Sequence, residues 1–224
     1  MTGELATLNS DGWAIMPGLL TPEACNDVQA MWDTPALFRS EVKMARHGFG
    51  QGLYRYFADP LPSPVAALRS GLYPALAAIA NRWAQTLGTR QSFPETHAEF
   101  RARCQAAGQT RPTPLLLRYG PGDWNALHQD LYGEHVFPLQ VAILLSEPVR
   151  DFTGGEFVLT EQRPRMQSRA AVVPLRQGDA VVFPVCERPV QGSKGPYRVQ
   201  MRHGVSKLHS GERFTLGVIF HDAP

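Results

Sequence analysis

From Arg111 onward the sequence breaks into short apolar runs separated by Gly, Pro and Asp, and this punctuation limits the fold more than any other feature. The runs are Leu115–Tyr119, Phe137–Leu145, Glu156–Thr160, Ala171–Leu175, Ala180–Phe183, Tyr197–His203 and Phe214–Phe220. Segments this short, bounded by turn residues, read as strands of a sandwich or barrel. Phe137–Leu145 is apolar at both alternating positions and is expected to be buried on both faces. The last run has two different faces. Arg213, Thr215, Gly217 and Ile219 fall on one, and Phe214, Leu216, Val218 and Phe220 on the other. Because side chains alternate across a strand, the first face can line a site while the second needs apolar cover.

That cover is expected from the residues before Arg111, which read as helical. Thr21-Pro22-Glu23 is a helix start, with a hydroxyl at the cap and Pro where the first amide needs no partner. The spacing of Leu72, Leu76, Ile79, Ala80, Trp83 and Leu87 predicts a helix over Tyr73–Leu87, and Pro94–Ala107 predicts another, ending at Gly108. The expectation is an α+β protein whose single domain spans 1–224. Residues 1–110 supply mainly helical support, and 111–224 form a jelly-roll core, a double-stranded β-helix of cupin-like type. A chain of 224 residues with 43% hydrophobic side chains can bury such a core.

No run of eighteen apolar residues is present, so no membrane span is expected, and Met1–Ser10 has neither the basic nor the apolar part of a secretory signal. Cys25, Cys104 and Cys186 are widely spaced and never in a CxxC pair, which argues against a disulfide framework or a zinc finger. A cytoplasmic location, with no obligate protein partner, is the expectation.

The chemistry-bearing residues are few. In His128-Gln129-Asp130, the imidazole and carboxylate would share a face if the triplet lies on a strand and could converge on one ion. His203 closes a predicted strand, and Arg213 follows ten residues later with Thr215 beyond it. An Arg on a small, apolar face requires a buried anion, and its planar fork suits a carboxylate. Two His and one Asp form a facial triad that leaves adjacent positions open on non-haem Fe(II). The bland readings are a hydrogen-bonded His–Asp pair, or a zinc site in which His135 replaces His203. Residues His47 to Phe57 mix Gly with aromatic and basic side chains; Phe49–Phe57 reads as a candidate substrate lid, or else as a hairpin packed on the barrel. Trp124 and Tyr132 flank the triplet and could stack on a planar substrate or simply fill space.

The order His-x-Asp, distal His, then Arg ten residues on resembles the Fe(II)/2-oxoglutarate-dependent dioxygenases over residues 113–222. Arg118-Tyr119-Gly120-Pro121-Gly122 is similar to the approach to the metal triplet in nucleic-acid alkylation-repair oxygenases. Asp151-Phe152-Thr153-Gly154-Gly155-Glu156 is similar to a loop of prolyl-hydroxylase-like members, and Gly178–Phe183 to their strand before the distal His. Taken together, the stretch resembles a prokaryotic family of oxygenases proposed to act on damaged nucleic acid. The resemblance implies iron on His128, Asp130 and His203, with Arg213 on the distal carboxylate of 2-oxoglutarate and Thr215 and Tyr119 hydrogen-bonded to that cosubstrate. It departs at Leu117, where the repair enzymes usually carry Asn.

Dioxygen and 2-oxoglutarate are therefore the expected small-molecule partners, and hydroxylation of a C–H bond the expected reaction. An alkylated base in single-stranded nucleic acid is the favoured substrate. Residues 150–213 carry 11 Lys and Arg against 6 Asp and Glu, with Arg163, Arg165, Arg169, Arg188, Lys194 and Arg198 outside the expected core positions. Phe49, Tyr54, Tyr56 and Trp124 could stack on an extruded base. A protein side chain or a small metabolite is the alternative substrate. The rivals from other classes are a cupin-like protein that holds a metal or anion without turnover, and a zinc hydrolase. Arg213 counts against a plain metal cupin, which needs no carboxylate clamp.

Overall fold

The computed structural model describes residues 5–224. In chain order the elements are β1 (Ala14–Met16), α1 (Pro22–Ala30), β2 (Phe38–Lys43), β3 (Gly50–Gln51), β4 (Leu53–Phe57), α2 (Ser63–Thr86) and α3 (His97–Ala106). There follow β5 (Leu115–Tyr119), β6 (Trp124–His128), β7 (Leu139–Leu144), β8 (Phe152–Gly154), β9 (Phe157–Gln162) and β10 (Arg169–Val173). The last five are β11 (Ala180–Pro184), β12 (Glu187–Gly192), β13 (Gly195–Val205), β14 (Leu208–Gly211) and β15 (Arg213–Val218). One sheet runs β1-β11-β7-β15-β5-β4-β2 and a second β10-β9-β13-β6-β3, with β12 on β13; β14 and β8 form a separate pair. Neighbouring strands within these sheets are antiparallel. The two main sheets face each other as a jelly roll, and the helices cover the outside of the larger one.

The alternation along β15 is the reason for this layering. Leu216, Val218 and Phe220 enter the core shared with Leu72, Tyr73, Leu76, Ile79 and Trp83 of α2. The opposite face of β15 turns toward the cavity between the sheets. Strand β7 is buried at every position, as its two-sided apolar pattern requires, and lies between β11 and β15. Thr21 caps α1 through the amide of Ala24, and Thr96 with Glu99 forms a reciprocal capping box on α3.

Three expectations change. Helix α2 begins at Ser63, ten residues before the expected start, and carries Pro74 in its interior. The first 110 residues are mainly helical but also supply β1 to β4, which extend both sheets. Leu53–Phe57 is not a lid. It is β4, hydrogen-bonded between β2 and β5, while β3 pairs with β6 across the cavity, so the segment is a wall joining the two sheets. No described helix is long and apolar enough to cross a membrane.

Candidate metal and cosubstrate site

A cavity of about 210 Å³ opens between the sheets. Both imidazoles of the expected triad belong to the smaller sheet. His128, the last residue of β6, stands directly opposite His203 of β13, and their ring centroids lie 4.1 Å apart. Asp130 lies two residues beyond the end of β6, so strand alternation does not place it. The chain turns out of the strand and brings its carboxylate within 3.6 Å of His128 Nε2 and 3.4 Å of His203 Nε2. One potential ligand atom from each residue lies within 4.8 Å of the others; among the described residues this is the one group with metal-binding spacing, and it excludes His135.

The electrostatics suit a cation. The His128 Nδ1–H donates to the Ala126 carbonyl at 2.8 Å, which leaves Nε2 as the free lone pair facing Asp130. Burial, and then the neighbouring His128, hold the His203 imidazole below its usual range. Burial opposes the charge on Asp130, but hydrogen bonding to His203 and the field of both imidazoles outweigh it and keep the carboxyl well below the usual carboxylate range. Two imidazoles and one carboxylate are the donor set that a divalent iron takes.

Arg213 is buried in the same cavity with 1% exposure. Two other arginines are as deeply buried, and each has a carboxylate: Arg69 meets Asp222 at 2.6 Å, and Arg188 meets Glu161. Arg213 has no such partner among the described residues. It donates to the Thr215 hydroxyl at 2.5 Å, and its Nε has no partner. Burial pulls its pKa down to about 10. Tyr119 sits beneath it, its ring centroid 5.6 Å from the guanidinium carbon. The Tyr119 hydroxyl makes no hydrogen bond of ordinary geometry, and burial pushes it up to about 12. Unpartnered donors of this kind, lining one cavity, fit a small anionic cosubstrate.

Gly155 makes room for this clamp. Gly155 has φ +65°, and a Cβ there would meet Leu208 Cδ1 at 2.6 Å and Arg213 Cδ at 3.0 Å.

Several expectations need correction. Arg188 is not a surface cation, since it is buried against Glu161 beneath the N-terminal segment. Arg163 and Arg169 also lie beside Glu161, and Arg198 beside Glu187, so four of these arginines, Arg188 included, share two carboxylates. Trp124 is 40% exposed and does not line the cavity, whereas Phe49, Tyr54 and Tyr56 do. Tyr132 lines the cavity too, and its hydroxyl donates to Asp130 Oδ1 at 2.8 Å. Where Leu117 departs from the repair-enzyme pattern, Asn125 of β6 lines the cavity as well. Sequence reasoning missed Gln140, whose Nε2 donates to Asp130 Oδ2 at 2.9 Å. Its signal was a lone amide inside the apolar run Phe137–Leu145.

The family model Oxygenase-NA, described as an oxygenase catalysing oxidative methylation of damaged DNA, matches residues 52–223. The chain belongs to that family. An uncharacterized protein of Mycobacterium tuberculosis is 53% identical to this oxygenase over 167 residues, 75% of this chain and 72% of that protein. In fold, the oxygenase is similar to a prolyl-4-hydroxylase of Pseudomonas putida, with TM-score 0.54 at 15% identity over 99% of this chain and 98% of that one. It is similar to an oxidoreductase of the 2-oxoglutarate–Fe(II) oxygenase family from Burkholderia pseudomallei, with TM-score 0.56 at 18% identity over 99% and 92%. The family makes this chain an oxygenase, and its fold is that of these two enzymes.

Proposed function

We propose that this oxygenase hydroxylates an N-alkyl carbon of a damaged nucleic-acid base, with Fe(II) on His128, Asp130 and His203. The distal carboxylate of 2-oxoglutarate is taken by Arg213, with Thr215 and Tyr119 beside it. The observation that carries this reading is the unpaired guanidinium of Arg213 in the cavity that holds the triad. When bound, iron and the 2-oxoacid activate dioxygen for C–H hydroxylation, with succinate and carbon dioxide as coproducts.

The chain's own residues do the rest. The two imidazoles and the carboxylate would hold the metal at the wall of the cavity. Arg213 fixes the far end of the 2-oxoacid by charge-assisted hydrogen bonds, and so orients its reactive end toward the triad. Phe49, Tyr54 and Tyr56 offer ring surface for a planar substrate. Hydroxylation of an N-methyl carbon gives a hemiaminal that releases formaldehyde, so the expected outcome on a methylated base is removal of the methyl group.

The test is succinate and formaldehyde release with Fe(II), 2-oxoglutarate and methylated single-stranded oligonucleotides. Substrate affinity should fall at least tenfold between about 50 and 200 mM salt if even a few phosphates are contacted. Turnover confined to peptides or metabolites would end the nucleic-acid reading and leave the oxygenase intact.

A further inference from the structure

Asp130 presents a positioning problem. It follows the end of β6, so no strand pairing fixes it, yet its carboxylate is buried and bound at both oxygens. Tyr132 donates to Oδ1 at 2.8 Å, and Gln140 Nε2 donates to Oδ2 at 2.9 Å. An ionised carboxylate only accepts, so the Tyr132 proton is committed to Asp130. The Tyr132 oxygen must then accept from Tyr56, whose hydroxyl lies 3.1 Å away. Tyr56 stands on β4, opposite Leu115 of β5, and Gln140 on β7, opposite Phe183 of β11. Both anchors therefore belong to the larger sheet and reach across the cavity to a carboxylate that follows a strand of the smaller one.

We propose that Gln140, together with Tyr132 backed by Tyr56, acts as a set of positioning residues that fixes the Asp130 carboxylate as a metal ligand. Rotation of the carboxylate about its Cβ–Cγ bond would break both hydrogen bonds at once. With Tyr132 on one oxygen and Gln140 on the other, the carboxylate keeps one orientation toward the two imidazoles. Tyr56 also lines the cavity, so the chain of hydroxyls runs from the cavity wall to the ligand. This inference rests on the reading of Asp130 as a metal ligand.

The experiment is titration of the purified protein with Co(II) alone, followed by its visible d–d spectrum and by affinity. Loss of a hydrogen-bonding partner behind a metal ligand typically costs about 10–100-fold in metal affinity. Tyr132→Phe and Gln140→Leu should each show a loss of that order with a changed spectrum. Tyr56→Phe, which leaves both contacts to Asp130 in place, should show a smaller loss in the same direction. Tyr73→Phe removes a buried hydroxyl that has no partner, and should change neither readout. If Asp130→Ala binds Co(II) as wild type does, the metal reading falls and this inference with it. If Asp130→Ala loses Co(II) while Tyr132→Phe and Gln140→Leu keep wild-type affinity and spectrum, positioning is overturned and the metal site stands. Should Gln140→Leu lose its cooperative melt, Tyr132→Phe and Tyr56→Phe decide the matter by the same criteria.

Discussion

Arg69 and Arg213 are equally buried, and they lie on opposite faces of the same sheet. Arg69, on α2, closes the seam between the helices and the segment after β15. It donates to the Ile219 carbonyl at 2.8 Å and to Asp222 at 2.6 Å, and Asp222 also takes Arg101 at 3.4 Å. Arg213 opens β15 on the cavity side and has only a neighbouring hydroxyl. The first cation is satisfied within the chain. The second is left for a partner that the chain does not supply. Burial without a counter-ion costs several kcal/mol even after relaxation, so the cavity holds a standing preference for an anion.

The largest test of this contrast lies on the satisfied side. Arg69→Met leaves the buried Asp222 with only the longer Arg101 contact and should cost about 3 kcal/mol of unfolding free energy in urea melts. Arg213→Met strands nothing, so the ligand-free protein should hold or gain stability. The same variant should weaken 2-oxoglutarate binding by about 2–5 kcal/mol, thirtyfold or more, as read by calorimetry with a non-redox metal in place. A ligand-free Arg213→Met protein that melts as early as Arg69→Met would break the comparison.

A pH titration sharpens it. His97 packs beside Arg69, and burial followed by the Arg69 charge pulls its pKa down to about 4 from 6.5. Its Nε2–H donates to the Phe220 carbonyl at 2.9 Å. Between pH 6.5 and 4 the unfolded chain binds this proton and the folded one does not. Stability is therefore full above 6.5, is lost as pH falls toward 4, and is lost no further below that. The shift corresponds to about 3 kcal/mol. His97→Gln should flatten that part of the profile. The smallest effect is expected from Thr215→Val, which removes one hydrogen-bonding partner of Arg213. It should weaken 2-oxoglutarate by about 1 kcal/mol, roughly fivefold, with the melt nearly unchanged.

Much of this contrast was legible in the residues. The alternation from Arg213 to Phe220 carries both the polar face and the apolar cover, because a strand's period of two writes its environment directly into sequence. Strand β7 was legible for the same reason. Trp124–His128 was not, because Asn125 and His128 face the cavity and leave no apolar pattern to read. Gln140 and Tyr132 were hidden as supports, since their partner Asp130 lies ten and two residues away along a chain that leaves its strand. Arg188 was misread because charge counts cannot see Glu161, 27 residues earlier, at its side. Pairing across sheets is set by topology, which no local window contains.

The position of β15 has a consequence for how the molecule is made. It is the last of the described strands, yet it lies between β5 and β7 near the middle of the larger sheet. A ribosome releases some two hundred residues before this strand can reach its slot. Until then β5 and β7 each offer an open backbone edge, and β7 is apolar on both faces. The nascent chain therefore carries this open apolar strand from the emergence of β7 until residues 213–218 arrive, and the sheet can close only then. The arginine that opens β15 arrives at the same moment, so the cavity acquires its cation in the step that seals the sheet.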